Sequence, residues 1–81
     1  MTDEKIMKIL KDVFNETLGV NKFNLSITMD EVSEWDSLKH IRLLSSIEDS
    51  FEIEIQFEDA IEMITGKSIL TKVKKYITDI N

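Results

Sequence analysis

The 81 residues predict an all-α fold, a small bundle of three longer helices and one short one. Three observations carry that expectation. Apolar residues recur at i, i+3 and i+4 in separate stretches, the spacing of a helix with one buried face. The chain has no proline and only two glycines, so little interrupts a helix. It has no cysteine, so no disulfide staples it and the core must come from packing alone. The length suits a single domain over residues 1–81.

The first helix rests on Ile6, Ile9, Leu10, Val13, Phe14 and Leu18, which form one stripe. Thr2 is placed to cap it, with Asp3 and Glu4 in the first turn, where the helix dipole favours acids. Gly19 is the expected stop, because glycine accepts the left-handed conformation beyond a helix end.

Residues 20–36 read as a long loop. Inside it Phe23, Leu25, Ile27 and Met29 alternate with polar residues, and so do Phe51, Ile53 and Ile55 further on. Alternation alone would pair the two runs as strands. A two-stranded sheet is marginal by itself, and the flanking segments carry the stronger helical pattern.

The second helix is expected from Asp36 or Ser37 to Phe51, with Ile41, Leu44, Ile47 and Phe51 as its buried stripe and Leu43 at the edge. Leu38, Lys39, Arg42, Ser46 and Asp49 fall opposite, so Leu38 is an apolar residue expected to face outward. A short third helix is expected near 57–63. The last starts near Thr65, which can cap it, and buries Ile69, Leu70, Val73 and Ile77.

Composition narrows the function. With 42% hydrophobic and 32% charged residues the chain is an ordinary globular protein, not a disordered one. Apolar runs are short and the first residues are charged every few positions, so neither a membrane span nor a signal peptide is expected, and the cytoplasm is the expected compartment. The net charge of −6 is uneven. Residues 1–29 sum to zero, 30–62 to −9 and 63–81 to +3. The acidic middle repels phosphate backbones, which argues against nucleic-acid binding, and attracts basic protein surfaces. No feature calls for an obligate dimer, so a monomer is expected.

One short stretch raises a chemical question. In EWDSLKHIRLL, Ser37 stands at or just inside the start of the second helix. Unpaired N–H groups and the helix dipole there favour negative charge, so a phosphate or phosphodiester on Ser37 would be stabilised by its position. The plainer reading is that Asp36 caps the helix and Ser37 is an ordinary first-turn residue. A hydrolase nucleophile would need a base oriented by a third group. His40 is the only histidine and lies one turn away, but no glycine-rich elbow surrounds the serine, so no catalytic residue is assigned. His40 falls toward the buried side, as a histidine at the core rim. Glu52, Glu54, Glu58, Asp59 and Glu62 lack the spacing of a calcium loop, and no metal site is assigned.

Residues 32–55, VSEWDSLKHIRLLSSIEDSFEIEI, resemble acyl carrier proteins. The matching elements are the triplet Asp36-Ser37-Leu38, the stripe Ile41, Leu43, Leu44 and Ile47, then Glu48, Phe51, Ile53 and Ile55. The acidic turn Glu58-Asp59-Ala60 and the closing helix fit as well, and the likeness extends more loosely over the whole chain. The resemblance implies an acyl-carrier-like bundle that is not an enzyme. Ser37 would receive 4'-phosphopantetheine from coenzyme A, transferred by a separate phosphopantetheinyl transferase with magnesium. The arm ends in a thiol, so acyl groups ride as thioesters and the protein needs no cysteine of its own. Asp36 would cap the helix and face the transferase. Segment 51–55 becomes the buried connection into the third helix.

The same resemblance points to acyl- or aminoacyl-loading and chain-processing enzymes as partners, met through Leu38, Lys39, Arg42, Asp49, Glu58 and Asp59. Carriers of fatty-acid synthesis usually place an acid directly after the triplet; here Lys39, His40 and Arg42 follow. That departure is more like stand-alone carriers of specialised pathways, including aminoacyl or peptidyl carriers. An unmodified helical adaptor is the alternative of a different class. A cargo tucked between the second and third helices would pass Ile61, Met63 and Ile64.

Overall fold

The computed structural model describes residues 1–80, with side chains as far as Thr78. Four helices follow in order: α1 (Asp3–Leu18), α2 (Ser37–Phe51), α3 (Phe57–Ala60) and α4 (Gly66–Ile80). Among the described residues there is no strand, only an isolated bridge between Thr28 and Thr65. No helix among them is long and apolar enough to cross a membrane.

Helix α1 begins and ends where its sequence expects. The Thr2 hydroxyl accepts from the Lys5 N–H at 3.2 Å. Gly19, at φ 70°, turns its N–H back to the Asn15 carbonyl. Ile6, Leu10, Val13, Phe14 and Leu18 are buried, and α1 packs chiefly on α2.

The buried face of α2 is rotated from the expected one. Leu43, Ile47 and Phe51 are its buried residues, with His40 and Leu44 half-buried at the margins. Ile41, expected in the stripe, is 66% exposed. The sector centres on Ile47, and at 3.6 residues per turn Ile41 lies about a third of a turn away from it. Helix α2 stops at Glu52, which adopts the left-handed conformation at φ 54°.

Glu48 then ties down the chain leaving α2. Its carbonyl accepts from the Ile53 N–H at 3.1 Å, and its carboxylate from the Ile55 N–H at 2.8 Å. Ile53 is buried and Ile55 half-buried. The alternation at 51–55 therefore marks a buried connector, not a strand.

The alternation at 23–29 pairs with a different segment from the one pattern suggested. Met29 N–H donates to the Ile64 carbonyl, Gly66 N–H to Ile27 and Lys67 N–H to Leu25, at 2.9, 2.8 and 3.1 Å. The long loop is thus hydrogen-bonded to the entry of α4. Gly66 permits this approach, since a Cβ there would lie 2.0 Å from the Asn24 carbonyl oxygen.

Helix α3 ends at Ala60, short of the expected 63. Beyond it Glu62 and Met63 N–H groups bond back to Asp59 and Ala60 carbonyls, three residues earlier. That tighter path buries Met63 and leaves the Ile64 carbonyl for Met29. Four residues cannot hold a helix alone. Two side-chain clusters pin this one: Asp59 to α4, and His40 of α2 to the Ala60 carbonyl. Helix α4 is capped by Thr65, whose hydroxyl accepts from the Ser68 N–H at 3.0 Å, and buries Ile69 and Val73.

Candidate functional site

The start of α2 is built by Asp36. Its carboxylate accepts from the Lys39 N–H at 2.9 Å, and its carbonyl from the His40 N–H at 2.8 Å. Ser37 is therefore the first helical residue, not the cap. Its side chain is exposed, and its hydroxyl makes no hydrogen bond among the described residues. The first-turn N–H groups of Ser37 and Leu38 have no acceptor within the helix. The result is a solvent-facing hydroxyl in a locally electropositive setting, fit to carry a phosphodiester.

His40 is not placed to act as a base on that hydroxyl. Its Nδ1 lies 3.0 Å from the Trp35 indole Nε1, and its Nε2 lies 3.2 Å from the Ala60 carbonyl oxygen. An indole N–H only donates, so Nδ1 accepts and the ring proton sits on Nε2, which donates to Ala60. Both nitrogens are engaged away from Ser37. Among the described residues no group of three or more metal-ligating side chains is arranged around an ion site.

The other expected contact residues separate into two groups. Leu38 is 60% exposed, Arg42, Asp49 and Glu58 are exposed, and Lys39 is half-buried. Asp59 is different: it is 7% exposed and inward-facing, so the partner contact expected of it is not open to it. Its carboxylate accepts from the Tyr76 hydroxyl, pairs with Lys72 at 2.9 Å and lies 3.5 Å from Lys75. The Tyr76 and Lys72 hydrogen bonds hold the Asp59 carboxyl well below the ordinary carboxylate range, at about 2. Lys72 is raised by its bonds to Asp59 and Glu62. The Tyr76 phenol is raised by burial and then by the Asp59 carboxylate.

Sequence reasoning did not mark Ile41 or Phe57 as surface residues, yet they are 66% and 77% exposed. With Leu38 and Ile61 they supply exposed apolar side chains on the start of α2 and on α3 with its exit, segments that His40 joins. Phe57 continues the apolar–polar alternation of 51–55 past Gln56, so the local pattern carries no sign that it faces solvent.

Fold and site together define a four-helix bundle with an exposed serine at the capped start of its second helix. A crystal structure of an acyl carrier protein from Thermotoga maritima is similar, with a TM-score of 0.83 over 98% of this chain and 94% of that one. The two are 22% identical, so the likeness is one of fold, and the fold is that of acyl carrier proteins. No family model matches the chain.

Proposed function

We propose that this protein is a carrier, not a catalyst, holding an acyl or aminoacyl group on a 4'-phosphopantetheine arm attached at the Ser37 hydroxyl. The observation that carries the reading is the exposed, unbonded Ser37 hydroxyl at a helix start capped by Asp36, within this fold. When attached, the arm supplies a terminal thiol that takes the cargo as a thioester, which fits a chain with no cysteine. Asp36 fixes the first turn of α2, so the serine is presented at a constant angle. Helix N–H groups stabilise the phosphodiester charge. Leu38, Lys39 and Arg42 provide the surface that a transferase and later partner enzymes meet.

Incubation with coenzyme A, magnesium and a promiscuous phosphopantetheinyl transferase tests this. Intact mass should rise by one arm, peptide mapping should place it on Ser37, and Ser37→Ala should show no gain. An unmodified native chain overturns the proposal and favours the adaptor.

A further inference from the structure

His40 does more than fill the core rim. Among the described residues it is the only side chain hydrogen-bonded both to the segment just before Ser37, through Trp35, and to α3, through Ala60. Trp35 in turn is buried edge-on against Phe14, at 5.2 Å between ring centroids, and Phe14 packs on Phe23 at 4.8 Å. The bridge is therefore fixed at its root in the aromatic part of the core.

We propose that His40, held between Trp35 and Ala60, bolts α3 to the start of α2 and keeps a cargo carried on Ser37 outside the bundle. The inference rests on the carrier reading for its cargo, but the bolt itself does not. A chain entering from Ser37 between α2 and α3 has to part His40 from the Ala60 oxygen. Their 3.2 Å separation leaves no passage for a methylene, whose carbon needs about 3.5–4.0 Å to each neighbour. Parting them strands a carbonyl, and moving the imidazole strands an indole N–H beneath the surface; both losses oppose entry. Leu43, Ile47 and Met63, which a buried cargo would have to displace, are fully packed. Apolar surface lies instead on the outside, at Leu38, Ile41, Phe57 and Ile61. His40 is thus a specificity-setting residue: the carrier suits short or polar acyl groups that gain nothing from the interior, or longer ones handed directly to a partner.

The test has two arms. In the unmodified protein, amide exchange at Ile61 and Met63, which bond back to Phe57 and Ala60, is measured in native, His40→Ala and Trp35→Phe chains. Exchange should accelerate on the order of fivefold or more in both variants, and His40→Gln, which keeps a donor and an acceptor, should recover part of the protection. Unchanged exchange in His40→Ala removes the bolt, whatever Ser37 carries. In the second arm, chains loaded with acetyl, octanoyl and dodecanoyl groups are melted. The native melting temperature should not depend on cargo length, whereas that of His40→Ala should rise with it as longer chains enter. A native protein stabilised progressively by longer cargo overturns the exclusion. Failure of Ser37 to accept an arm counts against the carrier reading and leaves the exchange result to decide the bolt.

Discussion

Replacing Gly66 with alanine sets a sequence rule against a packing constraint. By propensity alone Gly66→Ala should help, since alanine is favoured over glycine inside a helix by about 1 kcal/mol. The structure predicts the opposite. The new Cβ would stand 2.0 Å from the Asn24 oxygen and 3.0 Å from both the Asn24 carbonyl carbon and Ile27 Cγ2. The nearest obstacle is backbone, so no side-chain rotation relieves it. Ordinary contact begins near 3.4 Å, so the loop must withdraw by more than an ångström.

That withdrawal breaks the Gly66 and Lys67 N–H bonds to the loop, now 2.8 and 3.1 Å. Each is worth about 1 kcal/mol, and displaced packing around Ile27 adds roughly 1–3 kcal/mol. After subtracting the propensity gain, a net loss of about 2–4 kcal/mol remains. For a domain of this size the melting temperature should fall by roughly 10–30 °C. Trp35 is the one tryptophan and is buried, so its fluorescence reports the melt directly. Gly19→Ala is the comparison: its Cβ meets nothing within 4 Å, and only the left-handed φ of 70° is strained, at about 1 kcal/mol. A Gly66→Ala protein that melts at or above the native temperature refutes the loop–α4 pairing.

Three further outcomes follow from the same contacts. Asp36→Ala should cost about 1 kcal/mol through loss of the cap on the Lys39 N–H, read by urea unfolding; an unchanged midpoint would remove Asp36 from that role. Asp59 sits at about 2 against an ordinary 3.8, so its contribution is whole above pH 4 and disappears as pH falls through 2. The stability gap between native and Asp59→Asn proteins should accordingly be full near neutrality and narrow across that window; a gap that ignores pH contradicts the ion-pair account. Lys39→Glu should change the rate at which a modifying transferase associates more than the rate at which it leaves, measured by stopped flow. Identical association rates would take Lys39 out of the encounter.

The parts of the fold legible in the sequence are those fixed by local rules. Thr2, Gly19, Asp36 and Thr65 cap helices as their chemistry dictates, and the period of α1 names its buried face. What was not legible depends on tertiary partners. Ile41 reads as inward because it continues a plausible stripe; the choice between neighbouring sectors is made by tertiary packing, chiefly of α1 on α2, which buries Leu43 and Ile47 and leaves Ile41 exposed. Glu52 has no residue signature for a left-handed stop, and it is held there by the following chain bonding back to Glu48. The strand-like 23–29 run found its partner in residues 64–67, a pairing set by Gly66. Of the site, Ser37 and its cap are readable from Trp-Asp-Ser-Leu, whereas the His40–Ala60 contact joins residues twenty apart and leaves no local trace.

Charge shows the same limit, and it bears on partners. The sum of −9 over residues 30–62 suggested an acidic docking face. Part of it is internal to the fold: Asp59 is buried under Lys72 and Lys75, Glu62 pairs with Lys72, and Glu48 holds a backbone N–H. Around Ser37, Glu34 and Asp36 are met by Lys39 and Arg42, which leaves that end near neutral. Asp49 lies twelve residues along α2, about 18 Å away at 1.5 Å per residue. That is more than twice the screening length of about 8 Å at physiological salt. On the proposed carrier reading, a partner approaching Ser37 meets a nearly neutral surface with exposed apolar side chains beside it, and the net charge of the chain steers it little.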